Sequence, residues 1–237
     1  MRVPRGDDSV KKFEVRGRFE DTGIIAAVRV SSAEDAMFSA QSVVAGGVVV
    51  VEIPLTVPHA IKVIGDLART VPGIVLGAGG VTNPATAQVC LDAGAQFLTC
   101  DGLIPSVIDF ASQQDVVVFP GALTPTEVIT AWEAKSDFVK VVPCAHIGGE
   151  GYIGSLHRMF PDILLIASGG VNQQNAFKFI LAGAIALGVG RELIPPDAIH
   201  RRQRERIGEL ARRFLGFVKA GRDHLAARTA RRMSIYE

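Results

Sequence analysis

An α/β fold, a single-domain (β/α)8 TIM barrel with a C-terminal helical extension, is predicted by three features of the 237-residue sequence. Eight short apolar runs recur along the body, each followed by a Gly- or Pro-containing turn and a segment of helical character. The runs are continuous rather than alternating, as in strands of a parallel sheet buried on both faces. Eight such strand–helix units close naturally into a barrel covered by helices on its outside.

The predicted strands are residues 24–28, 48–52, 74–76, 96–99, 116–119, 138–142, 164–167 and 185–187. Between them the helical segments are 33–45, 59–70, 83–93, 105–112, 126–135, 152–160 and 173–182. The tripeptides AGG, AGA and AGA, starting at Ala45, Ala93 and Ala182, put glycine at three helix ends, where it stops a helix and leads the chain into a strand. Residues 1–20 are expected to form an N-terminal arm and helix, residues 21–199 the barrel, and residues 200–237 a basic helical extension. In that tail Ile207, Leu210, Phe214, Leu215, Phe217 and Val218 recur at helical spacing, so a helix should lie against the body. Beyond about residue 221 the apolar pattern fades, and the last residues are expected to fray or to pack on a neighbouring subunit.

With 48% hydrophobic and 21% charged residues, the chain can bury one full core. No stretch approaches the ~18 apolar residues of a membrane span. The opening MRVPRGDDSVKKFEVRGRFE has no signal-peptide core, so a soluble cytoplasmic protein is expected. Cys90, Cys100 and Cys144 show no paired spacing and read as ordinary thiols. Net charge is +1, but residues 200–237 carry 11 Lys+Arg against 4 Asp+Glu, a local +7 that leaves −6 on the body. Arginines on one side of a docking helix are usually solvated, so nucleic-acid binding is not expected.

In a barrel of this kind, function sits at the C-terminal strand ends. Lys140 lies inside the apolar strand DFVKVVP. Burial disfavours a charged amine, so a lysine there can offer a nucleophilic nitrogen to a ketone. The alternative is a strand-end lysine whose head reaches solvent or pairs with a carboxylate. Glu52, after four valines and before Ile53-Pro54, is a second ionisable group in apolar surroundings. Such a carboxylate suits a general acid or base, or else forms a buried ion pair with Arg29 or Lys140.

The segments SGGVNQQN and GVGREL place glycines and Arg191 before helical segments, after the seventh and eighth strands. Glycine lets backbone N–H groups approach an anion, and two such loops side by side predict a phosphate site. Asp101 either pairs with Lys140, orients substrate, or caps the turn at Gly102. His146 either contacts a substrate hydroxyl or is an exposed loop residue. Cys144 has no evident base to lower its pKa and reads as a small apolar residue.

Taken in order, AGGVVVVEIPLTVP, PGIVLGAGGVTNP, LDAGAQFLTCDGL, FPGALTPTE, DFVKVVP, SGGVNQQN and GVGRELIP resemble the class I aldolases of 2-keto-3-deoxy-6-phosphogluconate, 2-keto-4-hydroxyglutarate and 2-keto-3-deoxy-6-phosphogalactonate. The likeness runs from about Asp21 to about Pro196, and Glu-Ile-Pro-Leu is most similar to the phosphogalactonate branch. It implies a retro-aldol cleavage to pyruvate and an aldehyde such as glyceraldehyde 3-phosphate. In that reaction Lys140 forms the imine and Glu52 moves protons. Gly169, Gly170 and Gly190 would cradle the phosphate. No cofactor and no metal ion are expected, and the implied assembly is a homotrimer.

Several positions depart from the family pattern. Thr56 stands where an arginine usually grips the pyruvate carboxylate, so Arg29 is expected to take that role, helped by backbone N–H groups around Gly79 and Gly80. Gly80 replaces a threonine that commonly touches the pyruvyl group. Asp101-Gly102 replaces Pro-Gly, Val142 an aromatic residue, and Arg191 a serine that would otherwise serve the phosphate; Arg191 can hold a phosphate or a carboxylate by two parallel hydrogen bonds. Thr56, Gly80 and Asp101 are thus substrate-binding candidates with Arg29 and Arg191. Two other classes stay open on the residues alone: a phosphosugar isomerase or epimerase using the same lysine and glutamate, and a non-catalytic barrel that binds phosphate esters.

Overall fold

A computed structural model describes residues 12–233. Its elements are α1 (Lys12–Thr22), β1 (Ile24–Ala27), α2 (Ala33–Ala45), β2 (Val50–Pro54), α3 (Ala60–Thr70), β3 (Val75–Gly79), α4 (Pro84–Asp92), β4 (Phe97–Thr99), α5 (Pro105–Gln113), β5 (Val117–Phe119), β6 (Gly121–Ala122), α6 (Pro125–Glu133), β7 (Val139–Val141), α7 (Gly149–Met159), β8 (Leu165–Ser168), α8 (Ala176–Leu181), β9 (Ala184–Val189), α9 (Pro196–His200) and α10 (Arg204–Met233). All the ladders are parallel, in the order β5-β4-β3-β2-β1-β9-β8-β7-β6.

Strand β5 lies within the fifth predicted strand, residues 116–119, and β6 extends it beyond that prediction, past Pro120, which has no N–H to donate. Across that break the backbone N–H groups of Asp137 and Lys140 donate to Val118 O at 3.0 Å and Pro120 O at 2.9 Å. The eight predicted strands therefore close into a barrel. Gly47, Gly94 and Gly183 have φ of 96°, 110° and 105°, the left-handed backbone that ends a helix.

Alternate strand residues sort into two apolar layers. Val51, Ile53, Leu98, Val118, Val139 and Val141 pack between strands and helices. Ile25, Val50, Val75, Phe97, Val117, Phe119, Phe138 and Ile166 fill the barrel interior. Helix α1 closes the N-terminal end of that interior. It inserts Phe19 against Phe97, Phe119 and Phe138, with ring centroids 4.9, 5.4 and 5.4 Å apart. Lys12 Nζ, 3.0 Å from Asp137 Oδ1, ties the start of α1 to the same end.

Helix α10 packs on α2 and α8 through Ile207, Ala211, Phe214 and Val218. Arg222 anchors it by donating to Asp21 O at 2.8 Å and Ile185 O at 3.1 Å. Past residue 221 the apolar pattern fades, with residues 226–231 exposed, while α10 continues to Met233. The expectation that the last residues fray or pack on a neighbouring subunit extends to residues 234–237, outside the described residues. Once a helix is nucleated, each added residue contributes its own backbone hydrogen bond without needing an apolar face. No helix among the described residues is long and apolar enough to cross a membrane.

Candidate active site

Strand alternation aims the key side chains. In β7, Val139 and Val141 belong to the outer layer and Phe138 to the interior, so Lys140 points toward the barrel axis, where it is 3% exposed. In β2, Val51 and Ile53 face outward and Val50 inward, so Glu52 also faces the axis and is 4% exposed. Its room comes from Gly79: a Cβ there would lie 2.7 Å from Glu52 Cδ.

Lys140, Glu52, Arg29, Asp101, Gly169, Gly170, Gly190 and Arg191 line one cavity of about 540 Å³ at the C-terminal strand ends. Its apolar floor includes Ile25, Phe119 and Ile166. A lysine and a carboxylate from different strands thus share one water-restricted pocket.

The ion pair that forms there is not the one weighed for Glu52. Among the described residues Glu52 is within ion-pair distance of neither Arg29 nor Lys140. Instead Lys140 Nζ lies 3.0 Å from Asp101 Oδ1, and Arg29 Nη2 lies 3.7 Å from the same oxygen. Asp101 hangs from the loop after β4, within reach of both cations, whereas Glu52 is held back over Gly79. Burial alone would raise the Asp101 carboxyl, but the Lys140 ammonium and the Arg29 guanidinium outweigh it and hold the group below the usual carboxylate range.

The anion loops are built differently from the expectation that helices begin directly after the glycines. Helix α8 starts at Ala176 and α9 at Pro196, with turns intervening after Gly170 and Arg191. Asn172 Oδ1 accepts from Gln174 N at 2.9 Å and Asn175 N at 3.1 Å, while Asn175 Oδ1 accepts from Asn172 N at 2.7 Å. These side-chain bonds hold the turn in place of a helix terminus. Gly169 and Gly170 take φ of 82° and 84°, accessible to glycine without strain. Their loop lies flat on the one after β7, with Cys144 N donating to Ser168 O at 2.8 Å and Ala145 N to Gly169 O at 3.1 Å.

Two candidates fall outside this cavity. Thr56 is exposed and lines a neighbouring cavity of about 580 Å³, which shares Arg29 with the first and adds Asp35, His200 and Arg202. Gly80 does not line the Lys140 cavity but sits beside Asp101, where a Cβ would lie 3.6 Å from Oδ2. His146 is exposed and lines neither cavity. All three cysteines are buried and free. Burial pushes the Cys90 thiol to about 11 and those of Cys100 and Cys144 to about 12, so none is a ready nucleophile. Among the described residues no group of three or more His, Cys, Asp or Glu could hold a metal ion.

A family model described as KDPG and KHG aldolase matches residues 15–210. The chain belongs to this aldolase family. The KHG/KDPG aldolase of Escherichia coli is 28% identical over 189 residues, 80% of this chain and 89% of that protein. A probable 2-dehydro-3-deoxy-6-phosphogalactonate aldolase of Rhizobium meliloti is 29% identical over 175 residues, 73% of this chain and 82% of that one. The crystal structure of the Legionella pneumophila KDPG aldolase, with pyruvate captured at low pH as a covalent carbinolamine intermediate, matches with a TM-score of 0.77. It is 26% identical and covers 84% of this chain and 96% of that chain.

Ser168 is one of the polar strand-end residues that the sequence places at the barrel mouth, whereas Glu192 and Phe119 were not singled out there. Ser168 and Glu192 line the aldolase cavity, and Ser168 fits close against Gly188, where a Cβ would lie 2.7 Å from Ser168 Oγ. Phe119 is shared between the cavity and the aromatic cluster below. The alternation of inward and outward residues in β5 would have pointed to Phe119. Nothing local marks Glu192.

Proposed function

We propose that this protein is a class I aldolase that cleaves a 6-phosphorylated 2-keto-3-deoxy sugar acid to pyruvate and an aldehyde such as glyceraldehyde 3-phosphate. The observation that carries the reading is a buried, inward-facing Lys140 in one cavity with Glu52, in a chain of the KDPG and KHG aldolase family. The family match does not favour the isomerase, epimerase or binding-only alternatives.

The Lys140 amine, once it has lost a proton, adds to C2 of the keto acid, and the carbinolamine loses water to give an iminium. That cation takes up the C3–C4 bonding pair as an enamine while the C4 hydroxyl releases its proton and the aldehyde departs. Protonation at C3 and addition of water at C2 then return pyruvate and the free amine. Because the iminium is the electron sink, this route uses neither metal ion nor cofactor.

Glu52 is the group for these proton transfers, since its carboxyl faces the barrel axis in the same cavity as the Lys140 amine and can accept a proton and return it. Arg29 receives the C1 carboxylate. Gly169, Gly170, Gly190 and Arg191 hold the phosphate at the other side of the cavity. On the family resemblance we also assign a cytoplasmic homotrimer, which light scattering checks.

The test is covalent capture. Pyruvate with sodium borohydride should leave a reduced adduct that mass spectrometry locates on Lys140. No adduct at all would sink the aldolase reading, and an adduct on a different lysine would sink the assignment of Lys140.

A further inference from the structure

Asp101 stands in a place that a substrate would need. Its Oδ1 lies between two cations, 3.0 Å from Lys140 Nζ and 3.7 Å from Arg29 Nη2. The Asp101 side chain is 58% exposed while that of Lys140 is 4% exposed, so a solvent-facing carboxylate closes off a buried amine. A 2-keto acid joined to Nζ through C2 carries its C1 carboxylate on the next carbon. Its oxygens then come within reach of the same nitrogen and the same guanidinium. Two anions would compete for one position between Lys140 and Arg29.

We propose that Asp101 is a resting-state stand-in for the substrate carboxylate. It pairs with Lys140 as the ammonium in the free enzyme and is displaced when a 2-keto acid brings its own carboxylate to Arg29. This positioning role rests on the aldolase reading. Displacement is easy because Asp101 has water on its outer side, and because Gly80, with φ 73° and no side chain, leaves the inner side of its carboxylate open. A side chain at position 80 would begin with a Cβ 3.6 Å from Asp101 Oδ2 and crowd it further out along the chain.

The other groups facing the cavity do not take over this role. Glu52 on β2 lies beyond ion-pair distance of Lys140, Glu192 after β9 makes no ion pair with it among the described residues, and Arg191, a cation, cannot pair with an ammonium. The Cys100 thiol, next to Asp101, is pushed by burial to about 12 and stays neutral. Asp101 itself is held below the usual carboxylate range by the Lys140 ammonium and the Arg29 guanidinium, which outweigh its partial desolvation, so it is an anion throughout the neutral pH range.

Asp101→Asn keeps the shape and removes the charge. Acetic anhydride labelling of Lys140 at pH 7, read by mass spectrometry, should become up to about tenfold faster in this variant, because the amine is released from the charged pair that covers it. Borohydride trapping of pyruvate should half-saturate at a roughly threefold or more lower concentration, with a smaller change in the saturated rate. Glu52→Gln should alter the labelling rate less than Asp101→Asn does. Unchanged labelling in Asp101→Asn, or half-saturation at a higher pyruvate concentration, would overturn the proposal. Failure of the unsubstituted enzyme to trap pyruvate would instead overturn the aldolase reading, while the labelling comparison would still decide what Asp101 does to Lys140.

Discussion

The two ends of this barrel are made from the same strands and do opposite things. At the N-terminal end, inward residues Phe97, Phe119 and Phe138 close around Phe19 of α1. One inward step further along β7 the residue is Lys140, and one step beyond Val50 in β2 it is Glu52. Two residues of strand span about 7 Å, so an aromatic plug and an ionisable cluster are separated by a single layer. Phe119 belongs to both. The dry surroundings of Lys140 are thus created largely by the floor beneath it, while the chemistry is confined to the mouth, and the two ends can be damaged separately.

Lys140→Ala should have the largest effect on function: cleavage and pyruvate trapping are both lost, while the thermal midpoint stays close to that of the parent, because the aromatic floor is untouched. A variant that still cleaves would break the division at its centre. Glu52→Gln comes next. Imine formation should persist slowly, and turnover should fall by roughly 10²- to 10⁴-fold, the usual contribution of a positioned acid/base. Full-speed turnover would make Glu52 a structural residue.

At the opposite end, Phe19→Ala should cost about 3–5 kcal/mol of stability in denaturant unfolding, the usual loss for an emptied aromatic site in a core. Lys140 should still trap pyruvate wherever that variant remains folded. Loss of trapping in folded protein would show that the floor and the mouth are one functional unit. Arg191→Ser is the mildest. Arg191 is exposed, so KM for a phosphorylated substrate should rise by about tenfold or less, with kcat little changed. An unchanged KM would remove Arg191 from the anion end.

How readily each part could be read from sequence follows how local its signal is. Helix α2 spans residues 33–45, as its sequence predicts, because Ser32 caps it, accepting from Asp35 N at 3.0 Å, and the glycines after Ala45 stop it. The eight strands were legible because each is a buried apolar run. Lys140 and Glu52 were legible as ionisable residues interrupting such runs. Helix α1 was harder: only Val15 and Phe19 of its residues are buried, so its sequence carries almost no amphipathic pattern, and its role as a plug depends on a partner surface from three strands.

The sequence offered Asp101 as one possible partner of Lys140, beside Glu52, without choosing between them. Asp101 is 39 residues away in sequence, and what brings it to Lys140 instead of Glu52 is the height of one loop above the barrel axis and the room left at Gly79. The same holds for Thr56, which follows the glutamate strand closely yet opens onto the adjoining cavity.

By itself, then, the sequence determined the barrel, its order of elements, and the lysine and glutamate aimed at its axis, since apolar runs and strand alternation act over a few residues. Only the tertiary structure decided which anion meets the lysine, which cavity each loop residue enters, and how Phe19 seals the floor. Those outcomes depend on where separate strand ends and loops stand in space, and ångström-scale placement of that kind leaves no periodic mark along a chain.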